Sequence, residues 1–357
     1  MSEPRPIWPT FAGDHRAAFR TSARGAVNGR TRWEWRARGI RGTLVDASGR
    51  IIVVSDHEAQ VLDAAGSCVA RLELPEGEPW TQHVLATGGL VTSNSTDLCA
   101  MALAGTKRWR KLAKGAVLRM HVAPDGALLV WSRRPRTGLD VHSDITRYGA
   151  DGEERWSTPH AVPPVGYVST WCMAVDDGGH LFALAGGRMG DGVSGDDVPT
   201  GGVAAYDPSG QNIFAIPEDG NIARGAHGLA HGVILFGYEA RAYDEGGTLL
   251  WKADRERDDA PAVRISGLGL ELLEPMSEEM PLVAKRGPGS YFQLNAAVDG
   301  DGNRYFVHDQ RVVSIDPELD VRWSVRVPGA NGWNTPAIGP DGTVLVTSDD
   351  GHLTSID

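Results

Sequence analysis

The chain has 357 residues, and its 35 basic and 46 acidic side chains leave a net charge of −11 at pH 7. This charge argues against a nucleic acid or an anionic membrane as the main partner, because both attract basic surfaces. Apolar residues make up 41% of the chain, and no apolar run approaches the roughly 20 residues that cross a bilayer. Forty-five glycines beside only 23% charged residues indicate a turn-rich, all-β protein.

The N-terminal segment Met1–Arg5 is polar and is not followed by the apolar stretch of a secretory signal, so we expect a cytoplasmic protein. The three cysteines are too few for a disulfide framework, and none are adjacent or in CxxC spacing: Cys68, Cys99 and Cys172.

One short phrase recurs along the chain, in which a turn glycine is followed four residues later by an aromatic residue in a short apolar strand. The clear copies are Gly29–Trp33, Gly105–Trp109, Gly152–Trp156 and Gly247–Trp251. The weaker copies are Gly66–Ala70, Gly210–Phe214 and Leu319–Trp323. Such a repeat predicts an array of similar structural units.

A second phrase lies between these copies: two apolar strands joined by a tight turn, then a third strand. Examples are Val122–Ser132 (VAPDGALLVWS) and Ile338–Asp357 (IGPDGTVLVTSDDGHLTSID). The D-G pairs predict hairpin turns, because glycine adopts positive φ without a steric penalty. Each unit is therefore predicted to have four antiparallel strands, A to D, with the marker aromatic residue on strand D.

The spacing of the strand-D markers predicts the number of units. Successive markers are 37, 39, 47, 58, 37 and 72 residues apart, and a period of 37–39 fits a four-stranded propeller blade. The last unit ends at Asp357 without a D strand, and Arg30–Arg38 can supply one. We therefore predict a seven-bladed β-propeller over residues 30–357, closed by this N-terminal strand and preceded by a lead-in of residues 1–29.

Several residues make the repeat similar to that of the quinoprotein-like (PQQ-like) β-propeller superfamily: Asp341, Gly342, Asp350, Gly351, Ile356 and Asp357, with the marker tryptophans. The opening Trp8–Asp14 (WPTFAGD) resembles the lead-in of such chains. The resemblance implies a propeller. Quinoprotein dehydrogenases of this group have eight blades and hold their quinone against adjacent cysteines with calcium. Seven predicted blades and separated cysteines depart from that pattern, so we expect no pyrroloquinoline quinone and leave a divalent cation open.

The excess spacing predicts four insertions, all at one face of the ring. Residues 133–144 and 186–201 are expected to join strands B and C, whereas 160–170 and 254–291 are expected to join strand D to the next strand A. Insertions in repeat arrays gather on one face, which is often the binding face. Within the longest insertion, Leu268–Leu282 is expected to form a short helix, as a lid or a docking segment.

Aligning the A strands on their turn glycines places polar and aromatic residues at the mouth of the central channel on this face. The candidate ligand-binding residues are Arg41, Gln82, Arg119, Trp171, Arg224, Asn295, Trp333 and Asn334, with Tyr238 and His308 from B–C loops. Three arginines in an acidic protein favour an anionic ligand. Alternatively, each arginine pairs with a neighbouring acid and the aromatic residues only pack.

Two histidines on A strands, His83 and His227, are candidates for proton transfer, because an imidazole titrates near neutral pH. The alternative is that both are hydrogen-bonded core residues. No HxH, HExxH or paired-cysteine spacing indicates a metal site.

Two functions remain open. The first is binding, and conversion by a lyase, cyclase or isomerase reaction, of an anionic small molecule or short peptide at the channel mouth. The second is a non-catalytic scaffold that contacts a protein partner through the decorated face and residues 254–291.

Overall fold

The computed structural model describes residues 21, 23–37, 39–40, 42–55, 57–75, 80–86, 89–134, 142–162, 167–189, 198–217, 225–236, 239–254, 262–265, 270–273, 283–287, 290–293, 296–331 and 335–357. All regular structure in this part of the chain is β-strand. Among the same residues, no helix has the length and apolar character needed to cross a membrane.

The first sixteen strands are β1 (Thr31–Arg36), β2 (Gly42–Val45), β3 (Ile51–Val54), β4 (Glu58–Leu62), β5 (Cys68–Glu73), β6 (Gln82–Ala86), β7 (Gly89–Ser93), β8 (Asp97–Ala102), β9 (Lys107–Leu112), β10 (Ala116–Val122), β11 (Leu128–Arg133), β12 (Ser143–Tyr148), β13 (Glu154–Pro159), β14 (Tyr167–Val175), β15 (Leu181–Met189) and β16 (Val198–Tyr206). The other sixteen are β17 (Asn212–Pro217), β18 (Gly225–Leu229), β19 (Gly232–Phe236), β20 (Glu239–Tyr243), β21 (Leu249–Asp254), β22 (Ala262–Ile265), β23 (Leu270–Leu273), β24 (Val283–Gly287), β25 (Ser290–Gln293), β26 (Ala297–Val298), β27 (Arg304–His308), β28 (Arg311–Ile315), β29 (Val321–Arg326), β30 (Ala337–Ile338), β31 (Val344–Thr347) and β32 (His352–Ile356).

These strands form four-stranded antiparallel sheets, each an A–B–C–D meander as predicted. We number the blades along the chain. Blade 1 is β2–β5, blade 2 is β6–β9, blade 3 is β10–β13, blade 4 is β14–β17, blade 5 is β18–β21, blade 6 is β22–β25, blade 7 is β26–β29, and blade 8 is β30–β32 with β1.

The predicted ring closure is confirmed. Strand β1 pairs with β32, in a register that places Thr31 opposite Ile356 and Arg36 opposite His352. The N-terminal strand therefore completes the last blade as its outer strand, and β32 is paired on both of its edges.

The predicted number of blades is wrong, because the described residues form eight sheets rather than seven. The extra sheet is blade 6, which lies within residues 254–291, the segment expected to be a long D–A loop. The 72-residue step comprises two blades, of 40 residues from Trp251 to Tyr291 and of 32 residues from Tyr291 to Trp323. Gly287 and Tyr291 have the four-residue spacing of the repeated phrase. The aromatic residue is a tyrosine, so a pattern based on tryptophan does not detect this copy.

The prediction of a helix within Leu268–Leu282 is also wrong for the part of this segment that the structure describes. Leu270–Leu273 is strand β23, which pairs with β22 and β24, and Leu272 is fully buried. An apolar strand between two others belongs inside a blade, so it is not a lid or an exposed docking segment. With eight sheets, the number of blades no longer distinguishes this chain from the quinoprotein dehydrogenases, and the separated cysteines alone depart from their pattern.

The core consists of apolar clusters between neighbouring blades rather than one central cluster. One cluster joins Tyr305 of blade 7 and Ile338 of blade 8 to Val45 of blade 1. Further clusters join blades 1 and 2, 2 and 3, 3 and 4, and 4 and 5. Middle strands such as β3 and β7 are buried on both faces, and β3 is a continuous apolar run, whereas outer strands such as β9 are largely exposed.

The described part of the lead-in, residues 21 and 23–29, lies against blades 7 and 8. The backbone N–H of Gly25 donates to Asp299 Oδ2 at 2.9 Å, and that of Asn28 donates to the Asp357 carbonyl oxygen at 3.1 Å. These bonds attach the lead-in beside the closure of the ring.

Candidate functional site

The predicted channel mouth is described only in part. Six of the candidate residues lie outside the described residues: Arg41, Arg224, Tyr238, Asn295, Trp333 and Asn334. For two others only the backbone is described, Trp171 in β14 and His227 in β18. The side chains of Gln82 and His83 in blade 2, Arg119 in blade 3 and His308 in blade 7 are described.

Gln82 joins the inner strands of blades 2 and 3. Its side-chain Oε1 accepts a hydrogen bond from the Met120 backbone N–H at 2.9 Å, and its Nε2 donates to the Val117 carbonyl oxygen at 3.4 Å. These groups lie on either side of a bulge in β10 between Val117 and Arg119. A bulge removes groups from the ladder of hydrogen bonds, and Gln82 supplies the partners from the next blade.

Arg119 follows the bulge, and its side chain is exposed on the inner strand of blade 3. It lies close enough to the partly buried Cys172, on the inner strand of blade 4, for its charge to act on that thiol. Burial raises the pKa of Cys172, while Arg119 and the Ala226 backbone N–H, which donates to the sulfur, act in the opposite direction. The three neighbouring inner strands β10, β14 and β18 thus meet at Cys172.

Cys172 is the residue that the sequence prediction passed over. It lies seven residues before Gly179, as Arg119 lies seven residues before Gly126, so the alignment on turn glycines places both at one level. The sequence prediction takes Trp171 at this level, and the structure adds the side chain of its neighbour Cys172.

His83 is buried in blade 2, where its Nδ1 lies 2.8 Å from Thr92 Oγ1 on the paired strand. It shares the side of β6 that carries Leu85, which packs in the cluster between blades 1 and 2. The other described candidate, His308, is partly buried at the end of β27 in blade 7.

Blade 4 projects beyond the other blades at this face. Its strands β14, β15 and β16 have nine residues each, and their pairing continues to Tyr167↔Arg188 and Met189↔Val198. The outer strand β17 ends its pairing at Gly202↔Pro217. About four residues of each inner strand therefore extend past it, a projection of about 13 Å. Two of the predicted insertions, 160–170 and 186–201, thus lengthen the strands of one blade.

The B–C connection of blade 3, beside this projection, is fixed at its base. Arg134 donates from Nε and Nη2 to the two carboxylate oxygens of the buried Asp144, at 2.5 and 2.6 Å. Asp144 holds the pKa of Arg134 above its usual value through this hydrogen-bonded pair. Within the described ranges, the lengthened strands of blade 4 and the Arg134–Asp144 pair of blade 3 are therefore adjacent at this face.

A small cleft lies elsewhere, between blades 2 and 3, and is lined by residues that include Ala86, Arg108, Trp109 and Gly149. It opens beside the A–B turn of blade 2 and the C–D turn of blade 3, which are at the face opposite the mouth. We assign the candidate site from the inner strands, because the polar groups converge there.

The cysteines do not fit a quinone held by adjacent thiols. All three are free, and they lie on β5, β8 and β14 of blades 1, 2 and 4. The described mouth instead combines a cationic side chain, a thiol and a projecting sheet wall, an arrangement that can bind a carboxylate.

No family profile and no curated protein matches the chain by sequence. Among solved structures, streptogramin B lyase aligns with 10% identity and a TM-score of 0.52 over 91% of this chain and 96% of the lyase. The WD40 propeller domain of Doa1 aligns with 10% identity and a TM-score of 0.52 over 92% and 97% of the two chains. BBS1N, in its complex with ARL6DN, aligns with 11% identity and a TM-score of 0.50 over 93% and 97%.

These likenesses are at the level of the fold, because identities of 10–11% do not carry an activity from one chain to another. They agree with the propeller architecture that the described sheets form. The chain is a β-propeller.

Proposed function

We propose that this propeller binds an anionic ligand, a small carboxylated molecule or a short acidic peptide, at the part of its channel mouth formed by blades 3 and 4. The observation that carries the proposal is the exposed Arg119 on an inner strand, directly beside the projecting strands of blade 4.

The charge of the protein supports an anionic ligand. A chain with a net charge of −11 repels anions in general, so an exposed guanidinium on the channel wall is a local exception. A guanidinium binds a carboxylate with two parallel hydrogen bonds, which gives orientation as well as affinity.

The shape of blade 4 supports enclosure on one side. A wall that rises about 13 Å beside Arg119 shields a bound carboxylate from solvent, and an ion pair is stronger where water is excluded. The mouth residues outside the described part, Arg41 and Arg224 among them, remain candidates for further contacts with the same ligand.

The proposal concerns binding. Conversion of the ligand requires a group that moves a proton at the mouth, and the imidazole of His83 is buried beside Thr92, toward blade 1. Turnover would therefore depend on His227, on the inner strand of blade 5, or on Cys172, on the inner strand of blade 4.

Calorimetric titration of the full chain with a panel of dicarboxylates and acidic tripeptides tests this function. We expect at least one of these probes to bind, and Arg119→Ala to weaken its binding at least tenfold, with a smaller loss for Arg119→Lys. The matched control is Arg326→Ala, which removes an exposed arginine from the outer strand β29 and is expected to leave the affinity unchanged. Equal effects of the two alanine variants would contradict the assignment of the site.

A second candidate function is a scaffold that holds a protein partner, and the projecting end of blade 4 favours it. Three adjacent strands that extend beyond their outer strand present a contact surface, and BBS1N, which has a similar fold, was solved in complex with ARL6DN. A variant in which β15 and β16 are joined directly after Ala185 and before Gly202 distinguishes the two functions. Loss of a protein interaction with full retention of the small ligand supports the scaffold, whereas loss of the small ligand supports the mouth site.

A further inference from the structure

Side chains from blades 4 and 5 meet at the face opposite the channel mouth. The A–B turn of blade 4 contributes Asp176 and His180, and the A–B and C–D turns of blade 5 contribute His231 and Glu245. The backbone N–H of Asp177 donates to the Ala230 carbonyl oxygen at 3.3 Å, so the two blades are hydrogen-bonded at this point.

We propose that Asp176, His180 and Glu245, with His231, form a site for a transition-metal dication such as Zn²⁺. One ligand atom from each of the first three residues lies within 4.8 Å of the others. His180 Nδ1 is 2.9 Å from Asp176 Oδ2 and 4.0 Å from Glu245 Oε2. His231 Nδ1 is 3.6 Å from the same Glu245 oxygen.

These separations suit a single ion. Ligand atoms about 2.0–2.2 Å from a tetrahedral ion lie about 3.3–3.6 Å from each other, and the observed distances lie on both sides of that range. Small side-chain rotations complete the geometry, and they are open to His231 and Glu245, which are 80% and 51% exposed. Asp176, which is fully buried, and His180, which is 23% exposed, are already fixed in place.

The A–B turns of two other blades show which partner the aspartate carboxylate takes without a metal. In the A–B turns of blades 1 and 7 the residue four positions after the aspartate also bonds its carboxylate, Arg50 to Asp46 at 2.6 Å and Asn303 to Asp299 at 2.9 Å. Neither guanidinium nor amide nitrogen is a metal ligand. Blade 4 alone among these three has a histidine there.

Glu245 also differs from the residues at the equivalent position of other C–D turns. In the C–D turns that begin Asp63, Asp207, Asp244 and Asp316, the next residues are alanine, proline, glutamate and proline. Glu245 is thus the one carboxylate at this position among the four turns, and its Oε2 lies 4.0 Å from His180 Nδ1 in the A–B turn of blade 4. The two ligand-bearing turns belong to different blades, which explains why no short metal motif marks the sequence.

The ligand set selects the class of metal. Two imidazoles and two carboxylates suit Zn²⁺, Co²⁺ or Mn²⁺ better than Ca²⁺, which prefers six to eight oxygen ligands. Because the ligands come from both blades, a bound ion would also clamp blade 4 to blade 5, directly below the projecting strands β14 to β16. A ligand that binds only the folded state raises the unfolding temperature.

The test is a titration of the full chain, first freed of metal with EDTA and dialysed, with Zn²⁺ by calorimetry and with Co²⁺ by visible absorption. We expect one equivalent of Zn²⁺, an increase in unfolding temperature, and a Co²⁺ spectrum typical of low coordination number. His180→Asn keeps the turn hydrogen bond, as Asn303 does in blade 7, but removes a ligand. We expect His180→Asn and the isosteric Glu245→Gln each to weaken Zn²⁺ binding at least tenfold.

Two controls separate this site from other zinc-binding groups. Cys68→Ser removes an exposed thiol, and His352→Gln removes a histidine whose Nε2 lies 3.7 Å from Asp350, a pair outside this cluster. Both are expected to bind Zn²⁺ like the wild type. The proposal is overturned if the wild-type chain binds no Zn²⁺ saturably, or if binding persists unchanged in both His180→Asn and Glu245→Gln while their circular dichroism shows a native fold.

Discussion

The indole of Trp109 in blade 2 lies on Gly152 of blade 3, and its Nε1 donates to the carbonyl oxygen of Ala150 at 3.1 Å. The same arrangement joins Trp33 to Gly66 and Trp156 to Gly210 in other pairs of neighbouring blades. The two halves of the repeated phrase therefore meet across these three interfaces, the tryptophan of one blade on the glycine of the next. The marker tryptophans Trp33, Trp109 and Trp156 therefore pack between neighbouring blades.

Replacing Gly152 by alanine is expected to destabilise the protein more than replacing Gly105. Both glycines have positive φ, +77° and +93°, which costs an alanine about 1–2 kcal/mol. At Gly152 a Cβ would also lie 2.8 Å from the Trp109 ring, whereas at Gly105 the nearest heavy atom is 3.8 Å away. We expect about 1–3 kcal/mol of additional loss at Gly152, measured by urea unfolding.

A Trp109→Ala background provides the control for this comparison. Without the ring, the extra loss at Gly152 should disappear and the two glycine substitutions should cost similar free energies. Equal losses in the wild-type background would mean that backbone strain alone requires these glycines.

Replacing Gln82 by alanine is expected to lower the free energy of unfolding by about 1–3 kcal/mol, because the Met120 N–H and Val117 carbonyl lose their partner at the bulge. Gln82→Glu keeps the acceptor for Met120 and should cost less. Gln211→Ala, at an exposed glutamine in a C–D turn, is the matched control. A loss at Gln82 no greater than at Gln211 would show that water replaces the interblade bonds.

Tyr206 is expected to make the protein less stable at high pH. Burial raises its pKa to about 12, although the Ala161 N–H that donates to its hydroxyl acts in the opposite direction. The unfolded state loses the phenolic proton above about pH 10 while the folded state keeps it, so stability is full below pH 10 and falls as the pH rises toward 12. The slope reaches about 1.4 kcal/mol per pH unit for this group.

Urea unfolding at several pH values from 8 to 11.5 measures this dependence, and Tyr206→Phe should flatten the part above pH 10. The variant should also be less stable at pH 8, because the Ala161 N–H loses its acceptor. An identical slope in the variant would show that other groups cause the alkaline loss.

Arg32 and Asp341 connect the first strand to the last blade, with Arg32 Nη1 donating to Asp341 Oδ2 at 2.9 Å. Burial raises the pKa of Asp341, but hydrogen bonds from Thr343 and Arg32 outweigh it and leave the pKa below its usual value. The carboxylate therefore stabilises the fold above the unfolded-state pKa of about 3.9, and this contribution is lost as the pH falls through the lower folded-state value.

Asp341→Asn is expected to cost about 0.5–1 kcal/mol at pH 6, because the pair is partly exposed, and the difference from wild type should shrink between pH 4 and pH 2. Denaturant unfolding along this pH series checks it. Asp320→Asn, at an exposed aspartate of the blade 7 C–D turn, serves as the control and should cost less at pH 6. A cost that stays constant down to pH 2 would exclude a role for the charge.

The β class, the strand meander and the closure by the N-terminal strand could be predicted from the sequence. The D-G turns and the glycine–tryptophan phrase act over about five residues, so the sequence alone specifies each hairpin. The missing D strand at Asp357 and the spare one at Thr31–Arg36 complete the same pattern. The count failed at blade 6 because Tyr291 takes the place of a tryptophan, and a packing role does not require one specific aromatic residue.

The candidate sites depended on contacts between blades, which local patterns do not encode. A repeat alignment placed Arg119 and Cys172 at one level, but not Gln82 on the bulge of β10 or the extra length of β14 to β16. His180 and Glu245 are far apart in the sequence and belong to different turns. The sequence by itself determined the structure of each blade, because turns and strand patterns act locally. Only the closed ring decided which turns and inner strands are neighbours, because packing blade against blade is a long-range effect.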